Sequence, residues 1–152
     1  MDQGHWIGRE TDIEKYFGFI YLIQCKVDGI KYIGKKQYWI SKAGVVGCKS
    51  KVYDRQSPKW KCKCWKESNW KKYLGSSKHL SEHIKLHGKE NFVCTILSQH
   101  RSRASLYYEE VRQQVIRDVL RSRTANNEYE YFNRQIAAVK FRPPIGHSDI
   151  GD

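Results

Sequence analysis

Two tyrosines, Tyr21 and Tyr32, stand eleven residues apart in adjoining runs of apolar and aromatic residues. The runs, residues 17–25 and 30–34, predict two short strands, and Asp28-Gly29 between them favours the tight turn of a hairpin. On neighbouring strands the two phenols can lie on one face, where each can donate or accept a proton. The pattern therefore indicates a candidate acid–base site, although it also fits an ordinary amphipathic hairpin with half-buried tyrosines.

Further residues supply the other groups that phosphodiester hydrolysis requires. That reaction needs a group to take the proton of the attacking water, cations to stabilise charge that develops on the phosphate, and usually a divalent metal ion held by a carboxylate. Candidate residues follow the hairpin and lie in and after a helix expected further along the chain: Lys35, Lys36, Glu109, Glu110 and Asn133.

The charge of the chain indicates a polyanionic partner. Its 152 residues fit one domain, and 28 Lys and Arg against 16 Asp and Glu leave a net charge of +12. Residues 35–72 hold twelve basic residues, two acidic ones and four of the five tryptophans, and we expect a largely irregular insertion there. Basic side chains can bind the phosphates of a nucleic acid, and aromatic rings can stack on its bases. The alternative is a solvated basic loop that its tryptophans pin to the core. The candidate DNA-binding residues are Lys35, Lys42, Arg55, Lys59, Lys61, Lys63, Lys71 and Lys72.

Five cysteines, an odd number, and a polar N-terminal segment without the pattern of a signal peptide favour a reducing, cytoplasmic setting. No apolar run is long enough for a membrane helix, so no membrane partner is expected. Cys62-x-Cys64 with His79-x-x-x-His83 resembles a zinc ligand set. The cysteine spacing is tighter than most structural zinc sites use, so the sequence does not favour zinc there.

The remaining segments predict a single α+β domain over residues 17–136, with an arm at 1–16 and a tail at 137–152. Residues 76–86 are expected to form a helix with Leu80, Ile84 and Leu86 on its apolar side, and residues 91–98 a third strand. The strongest helix signal covers residues 105–120. Its expected apolar stripe is Tyr108, Val111, Val115 and Val119. The predicted architecture is a small, three-stranded, mainly antiparallel sheet flanked by helices, with the basic insertion after strand 2.

The hairpin resembles the signature of the GIY-YIG nucleases, since Ile20-Tyr21 and Tyr32-Ile33-Gly34 match it and only the leading glycine is displaced, to Gly18. Later blocks appear in the order found in phage-encoded homing endonucleases of that superfamily. They are Tyr73-Leu74-Gly75-Ser76-Ser77, His87-Gly88-Lys89-Glu90-Asn91-Phe92, Tyr108 with Glu110 and Gln114, and Tyr131-Phe132-Asn133. The resemblance covers residues 17–136 and implies a metal-dependent endonuclease acting on double-stranded DNA.

The resemblance also implies roles for single residues. Tyr21, or a water bound to it, would deprotonate the nucleophile, and Tyr32 would hydrogen-bond the phosphate or relay a proton. Glu110 would bind Mg²⁺ or Mn²⁺, Asn133 would hold the site together, and Tyr73 takes the family's His or Tyr position. A phage-encoded enzyme of this kind would work in the cytoplasm of a bacterial host, as a monomer or a homodimer.

Two assignments stay open at this point. The family carries a catalytic arginine after the hairpin, and here Lys36, Lys42 and Arg55 are the rival cations, with Lys36 placed first because it adjoins the hairpin. The spacing of the family pattern favours Glu110 as the metal ligand, whereas a helical wheel puts Glu109 nearer the apolar stripe.

Two other functions remain. The missing arginine allows a non-catalytic nucleic-acid-binding protein of the same fold, and the cysteine and histidine pattern allows a zinc-stapled basic domain in RNA or protein assembly.

Overall fold

The computed structural model describes residues 2–41 and 65–136, and its centre is the predicted hairpin. Strands β2 (Gly18–Cys25) and β3 (Lys31–Gln37) pair antiparallel, with Tyr21 opposite Gly34. Gly29 has a φ of +78°, and the Asp28 carboxylate accepts a hydrogen bond from the Ile30 backbone N–H at 3.1 Å. A glycine with this backbone angle and an Asp that bonds two residues ahead are what a tight turn requires.

The hairpin belongs to a mixed four-stranded sheet. Strand β1 (Trp6–Ile7) runs parallel to β6 (Phe92–His100), which pairs antiparallel with β2, so the order is β1-β6-β2-β3. The α+β class predicted from the sequence is confirmed, with one strand more than the three expected. The third predicted strand, residues 91–98, is β6.

The added strand comes from residues 1–16, where we expected only an arm. Trp6 is 2% exposed, packs against Phe19 and Tyr21, and donates a hydrogen bond from Nε1 to the Trp70 carbonyl at 2.6 Å. A two-residue strand among polar residues leaves no periodic pattern in the sequence. This segment is therefore part of the core, and its description as an arm was wrong.

The basic insertion is only partly described. Its first residues, Lys35 to Gln37, continue β3, and strands β4 (Trp39–Ser41) and β5 (Trp65–Glu67) form a separate antiparallel pair. Both described ends of the segment are regular, where an irregular chain was expected. Residues 42–64, with Trp60, lie outside the described part of the chain.

The described tryptophans of this segment pack inward. Trp65 and Trp70 are 8% and 1% exposed. The half-buried Trp39 donates from Nε1 to the Ile13 carbonyl at 2.7 Å, and Trp70 donates to a Glu67 carboxylate oxygen at 2.8 Å. The alternative that tryptophans pin this segment to the core is right for these three, and the buried rings of Trp65 and Trp70 do not offer faces for base stacking.

Helix α1 (Lys78–His87) confirms the helix predicted over residues 76–86. The Ser77 hydroxyl accepts a hydrogen bond from the Leu80 N–H at 3.3 Å, and Gly88, with a φ of +86°, follows the last turn. These are the N-cap and the C-terminal glycine that helices favour. Leu80 is fully buried, but Leu86 is 75% exposed and does not belong to the apolar side.

Helix α2 (Arg103–Ile116) lies within two to four residues of the predicted bounds, but its expected apolar stripe was wrong. Tyr108 and Val115 are 40% and 59% exposed, whereas Glu109 and Gln114 are buried. Gln114 can face the sheet here because its side-chain amide donates to the Ile33 carbonyl at 3.2 Å. Val119 is buried beyond the end of the helix.

The sheet is covered on both faces, which explains the nearly continuous apolar run of β2. Phe19, Tyr21 and Ile23 pack with Leu80 of α1, whereas Ile20 packs with Leu106 of α2. None of the helices in the described ranges is both long and apolar enough to cross a membrane.

Candidate active site

Three tyrosines meet on the face of the hairpin that α1 covers. Tyr32 lies two residues from Gly34, the partner of Tyr21, so both phenols project from the same face. The Tyr21 and Tyr32 ring centroids are 6.1 Å apart, and Tyr73 packs edge-on against Tyr21 at the same distance. The side chains of Tyr21 and Tyr73 also hydrogen-bond to each other.

Two glycines leave room for the Tyr21 phenol. A Cβ atom at Gly34 would lie 2.6 Å from Cζ of Tyr21, closer than any side chain allows. Gly75, with a φ of +85°, would place a Cβ 3.4 Å from the Tyr21 hydroxyl and 3.0 Å from Leu80. The glycine that ends the second signature element therefore has a steric reason, because the phenol crosses the strand directly over it.

An irregularity in the sheet sits beside Tyr21. In the pairing of β2 with β6, Ile20 is opposite Ser98 but Tyr21 is opposite Ile96, so one residue of β6 is skipped. A bulge of this kind increases the local twist and redirects the neighbouring side chains. The sheet is thus deformed at the residue that carries the central phenol.

The protonation of these phenols follows from their burial. Desolvation raises the pKa of Tyr21 well above its ordinary value, and Tyr32, Tyr73 and the Glu110 carboxylate reinforce the rise. Burial also raises the pKa of Tyr32, against a hydrogen bond with Ser76 that lowers it. Both phenols are therefore protonated at neutral pH and act as hydrogen-bond donors.

Of the two neighbouring glutamates, Glu110 faces this site. Its carboxylate, 13% exposed, accepts a hydrogen bond from the Lys35 ammonium at 2.9 Å. Glu109 is 4% exposed and accepts hydrogen bonds from Arg112 at 2.7 Å and Gln113 at 2.9 Å through Oε1. It does not line the cavity that Glu110 borders. The spacing of the family pattern, rather than the helical wheel, indicated the carboxylate that reaches the phenols.

Lys36 supplies a cation on the other side of the phenols. Its ammonium lies 4.1 Å from the centroid of the Tyr73 ring, and burial lowers its pKa below the ordinary value of 10.5. The rival cations Lys42 and Arg55 lie outside the described residues. Among the described residues, no arginine lines the cavity between the phenols.

That cavity has a volume of about 230 Å³. It brings together most of the residues selected from the sequence, namely Tyr21, Tyr32, Lys35, Lys36, Tyr73 and Glu110. Glu110 is the only carboxylate among the described residues that line it. A Mg²⁺ site in enzymes of phosphate chemistry commonly needs one or two carboxylates, with waters and substrate phosphates completing the shell. The donor set therefore fits Mg²⁺ or Mn²⁺ with Glu110 as the protein ligand.

Asn133, the remaining residue predicted to be catalytic, does not line this cavity. Its side chain donates to the Ile33 carbonyl at 2.8 Å and accepts from the Ile33 N–H at 3.0 Å, and it is 7% exposed. It therefore ties the segment after α2 to β3, beside Tyr32. These bonds are consistent with the predicted role of Asn133 in holding the site together, and that role stays a prediction.

Some residues of the site were missed. Ser76 hydrogen-bonds Tyr32, and Tyr107 stacks beneath the Lys35 ammonium at 4.3 Å. Lys78 and Arg134 line an adjoining cavity of about 330 Å³ that Glu110 also borders. Arg134 directly follows Asn133, so the family block that ends at that asparagine could have pointed to it.

The candidate DNA-binding residues have mixed positions. Lys35 is committed to Glu110 in an ion pair, whereas Lys72 is exposed and Lys71 lies 3.7 Å from the Asp2 carboxylate at the surface. Lys42, Arg55, Lys59, Lys61 and Lys63 fall outside the described residues. Their role in DNA binding stays a prediction.

A larger cavity, of about 700 Å³, lies between α1 and the segment around residues 128–134. Its walls include Ile30, Leu120 and Phe132 as well as polar groups, but none of the three phenols of the site. Of the residues predicted from the sequence to be catalytic, only Asn133 borders this cavity.

The chain matches the family described as "Putative endonuclease segE, GIY-YIG domain" over residues 3–136. It therefore belongs to this GIY-YIG family, a class of nucleases, and the family resemblance found in its sequence is confirmed. No curated protein and no solved structure matches the chain.

Proposed function

We propose that the chain is a metal-dependent endonuclease that hydrolyses phosphodiester bonds of double-stranded DNA. The observation that carries this proposal is the convergence of Tyr21, Tyr32, Lys36 and Glu110 on one cavity, within a domain of a nuclease family. Phosphoryl chemistry needs positioning and charge stabilisation more than covalent participation of the protein. The two tyrosine hydroxyls, the Lys36 ammonium and the Glu110 carboxylate supply both the positioning and the charge stabilisation.

Glu110 would hold the divalent ion through a carboxylate oxygen. The ion supplies charge neutralisation and Lewis-acid polarisation of the scissile phosphate when bound. Lys35 keeps the carboxylate turned toward the cavity through its contact with Oε1. Because that ammonium borders the same cavity, it can also contact a phosphate oxygen of the substrate.

Lys36 would stabilise the charge that develops on the phosphate. It takes the part that an arginine plays in the family, as a point charge without bidentate geometry. Its partial burial strengthens its interaction with an anion, because fewer water molecules screen the ammonium. The Tyr73 ring fixes the ammonium by a cation–π contact.

Tyr32 would donate a hydrogen bond to a phosphate oxygen, and Tyr21 would orient the attacking water. The raised pKa of Tyr21 favours this role over direct proton abstraction by a phenolate. Tyr21 is 1% exposed, so its hydroxyl has a fixed position against Tyr73 and Gly75. Fixed donors need no reorganisation during the reaction.

The excess of basic residues supports a DNA substrate. Charge of this size on a small domain attracts the phosphate backbone and makes binding depend on salt. A role like that of the phage homing endonucleases completes the proposal, and the resemblance of the ordered sequence blocks supports it. Neither the target site nor the number of strands cut enters the proposal.

A plasmid assay tests the proposal. Supercoiled DNA is incubated with Mg²⁺ and wild-type protein, with Glu110→Gln, or with Glu109→Gln as the matched neighbouring variant. We expect nicked or linear DNA from the wild type and from Glu109→Gln, and intact plasmid from Glu110→Gln. A wild-type protein that shifts the plasmid in a gel without cutting it would instead support the non-catalytic nucleic-acid-binding function.

A further inference from the structure

A second cluster of reactive side chains lies at the turn end of the hairpin. Cys25 ends β2, Asp28 is in the turn, and His83 and His87 are one turn apart on α1. One ligand atom from each of the four residues lies within 4.8 Å of the corresponding atoms of the other three. The two elements that meet here are 55 residues apart in the chain, from Asp28 to His83.

The side chains of this cluster already contact one another. His83 Nε2 lies 2.7 Å from an Asp28 carboxylate oxygen, and the Cys25 side chain hydrogen-bonds Asp28. The rings of His83 and His87 have centroids 4.4 Å apart. The second Asp28 oxygen is held by the backbone N–H of Ile30, so the carboxylate has a fixed direction. The cluster is therefore an ordered constellation on two rigid elements.

The ligand types and spacing match a closed zinc site. Structural zinc is commonly held by two ligands a few residues apart near a turn and by two histidines spaced along a helix. Cys25-x-x-Asp28 and His83-x-x-x-His87 have this form. Tetrahedral ligation at ordinary zinc bond lengths separates ligand atoms by about 3.3–3.8 Å, so closure needs side-chain shifts of about 1 Å.

We propose that Cys25, Asp28, His83 and His87 bind one structural Zn²⁺ ion. A thiolate and two imidazoles favour zinc over Mg²⁺ or Ca²⁺, which prefer oxygen ligands. Four protein ligands leave no open position, so this ion has a structural function. The site differs from the pattern Cys62-x-Cys64 with His79 and His83 noted in the sequence, and it shares only His83 with that pattern.

The ion would fix α1 against the hairpin. Ser76 and Ser77, just before α1, lie beside Tyr32 at the cavity, while His87 is at the other end of the same helix. A metal bond at His83 and His87 would therefore stabilise the packing of α1 on the hairpin, at the end of the helix away from Ser76 and Tyr32. Binding also closes the chain between residues 28 and 83, which limits the freedom of the unfolded state.

Metal content tests the proposal directly. The full chain is produced with zinc in the medium, dialysed against metal-free buffer, and analysed for zinc per chain. We expect about one equivalent in the wild type and in Cys94→Ser, a matched change of another buried thiol. Cys25→Ser and His87→Gln should bind zinc more than about 100-fold more weakly, since even outer-shell changes cost up to that factor.

Cobalt gives a second readout that reports the thiolate ligand directly. Co²⁺ in a tetrahedral site with a thiolate ligand shows visible d–d bands and a sulfur-to-metal charge-transfer band. We expect both in the wild type and in His79→Ala, and we expect Cys25→Ser to lose the charge-transfer band. The exposed variant Asp28→Asn should keep the fold and weaken metal binding.

Two outcomes would overturn the proposal. One is a wild-type protein that takes up neither zinc nor cobalt. The other is metal content that survives Cys25→Ser but disappears in Cys62→Ser or Cys64→Ser, which would assign the ion to the other cysteine pair.

Discussion

Two parts of the β2–β3 hairpin present different sets of candidate metal ligands: Tyr21 lies at the middle of the paired strands, opposite Gly34, and Cys25 lies next to the turn. Near the middle, Tyr21, Tyr32 and Glu110 border a cavity, where Glu110 is the only carboxylate among the described lining residues and lies beside Lys35. At the turn a thiol, two imidazoles and a carboxylate converge on one another, and His83 also borders the cavity of about 700 Å³. The first arrangement leaves room for a substrate and a hydrated ion, and the second can enclose an ion completely.

On this account one hairpin carries a site for DNA cleavage and, separately, a site that stabilises the fold. An open site with a single carboxylate depends on substrate phosphates to complete the shell of a hard cation. A closed site with sulfur and nitrogen ligands contributes folding energy and no reaction. Changes at the cavity should therefore alter cleavage without altering stability, and changes at the turn should do the reverse.

The largest expected effect is a loss of cleavage with no change in stability. Replacing Glu110 by Gln removes the charge that holds the divalent ion, and we expect cleavage to fall by on the order of 10³ or more. The melting temperature and zinc content should stay at wild-type values, because Glu110 borders a cavity and contacts Lys35, which pairs with Ile20, five residues before Cys25 in β2. Plasmid cleavage rates and thermal melts on the same preparations measure both.

Replacing Lys36 is expected to have the second-largest effect on the cleavage rate. Its replacement by Ala removes a preorganised positive charge and should lower the cleavage rate by on the order of 10². Lys36→Arg keeps the charge and should retain most of the activity. An unchanged rate for Lys36→Ala would move the cation role to another residue, with Lys42 and Arg55 as the next variants to assay.

The pH profile sharpens the assignment of Lys36. Because burial lowers its pKa below 10.5, the ammonium loses its proton at a lower pH than an ordinary lysine does. We expect activity to decline as pH rises through that lowered pKa, and Lys36→Arg to move the decline to higher pH. Initial cleavage rates from neutral to alkaline pH measure this. An identical profile for both proteins would contradict the assignment.

Asn133 should affect stability more than chemistry. Asn133→Ala leaves the buried N–H and carbonyl of Ile33 with fewer partners, and the loss should lower the free energy of unfolding by about 1–3 kcal/mol. Urea denaturation of the wild type and the variant measures it. Arg134→Ala, at the exposed neighbour, is the control and should leave stability nearly unchanged.

The smallest expected effect on cleavage comes from the turn end. His87→Gln, assayed well below its melting temperature, should cleave within about threefold of the wild type, because its ligand role is structural. Its melting temperature should no longer respond to zinc. A large loss of cleavage at a temperature where the variant is folded would show that the two ends are not independent.

Much of the candidate active site around the cavity could be predicted from the sequence. Local signals identify the hairpin, because its apolar runs and the Asp28-Gly29 turn act over a few residues, and the family spacing selects Glu110 and Tyr73. The β1 strand could not be found this way, since two residues carry no period. The buried face of α2 was also hidden, because a hydrophobic pattern shows neither the tertiary hydrogen bond from Gln114 to Ile33 nor the bonds that Glu109 accepts within its own helix.

The cluster at the turn was missed for a different reason. Its ligands come from two segments that only the fold brings together, and an aspartate in a turn is ordinarily explained by the turn itself. His83 was noted in the sequence, but with cysteines of the insertion. Tertiary placement, rather than spacing along the chain, identifies Cys25 and Asp28 as its neighbours.

One measurement tests the central claim that the phenols, Lys36 and Glu110 form a metal-dependent nuclease site. Zinc-loaded protein freed of other metals is mixed with supercoiled plasmid, and Mg²⁺ is then added to the wild type and to Glu110→Gln. We predict no cleavage before the addition, and after it cleavage by the wild type alone. Cleavage without added Mg²⁺, or equal cleavage by Glu110→Gln, would contradict the account.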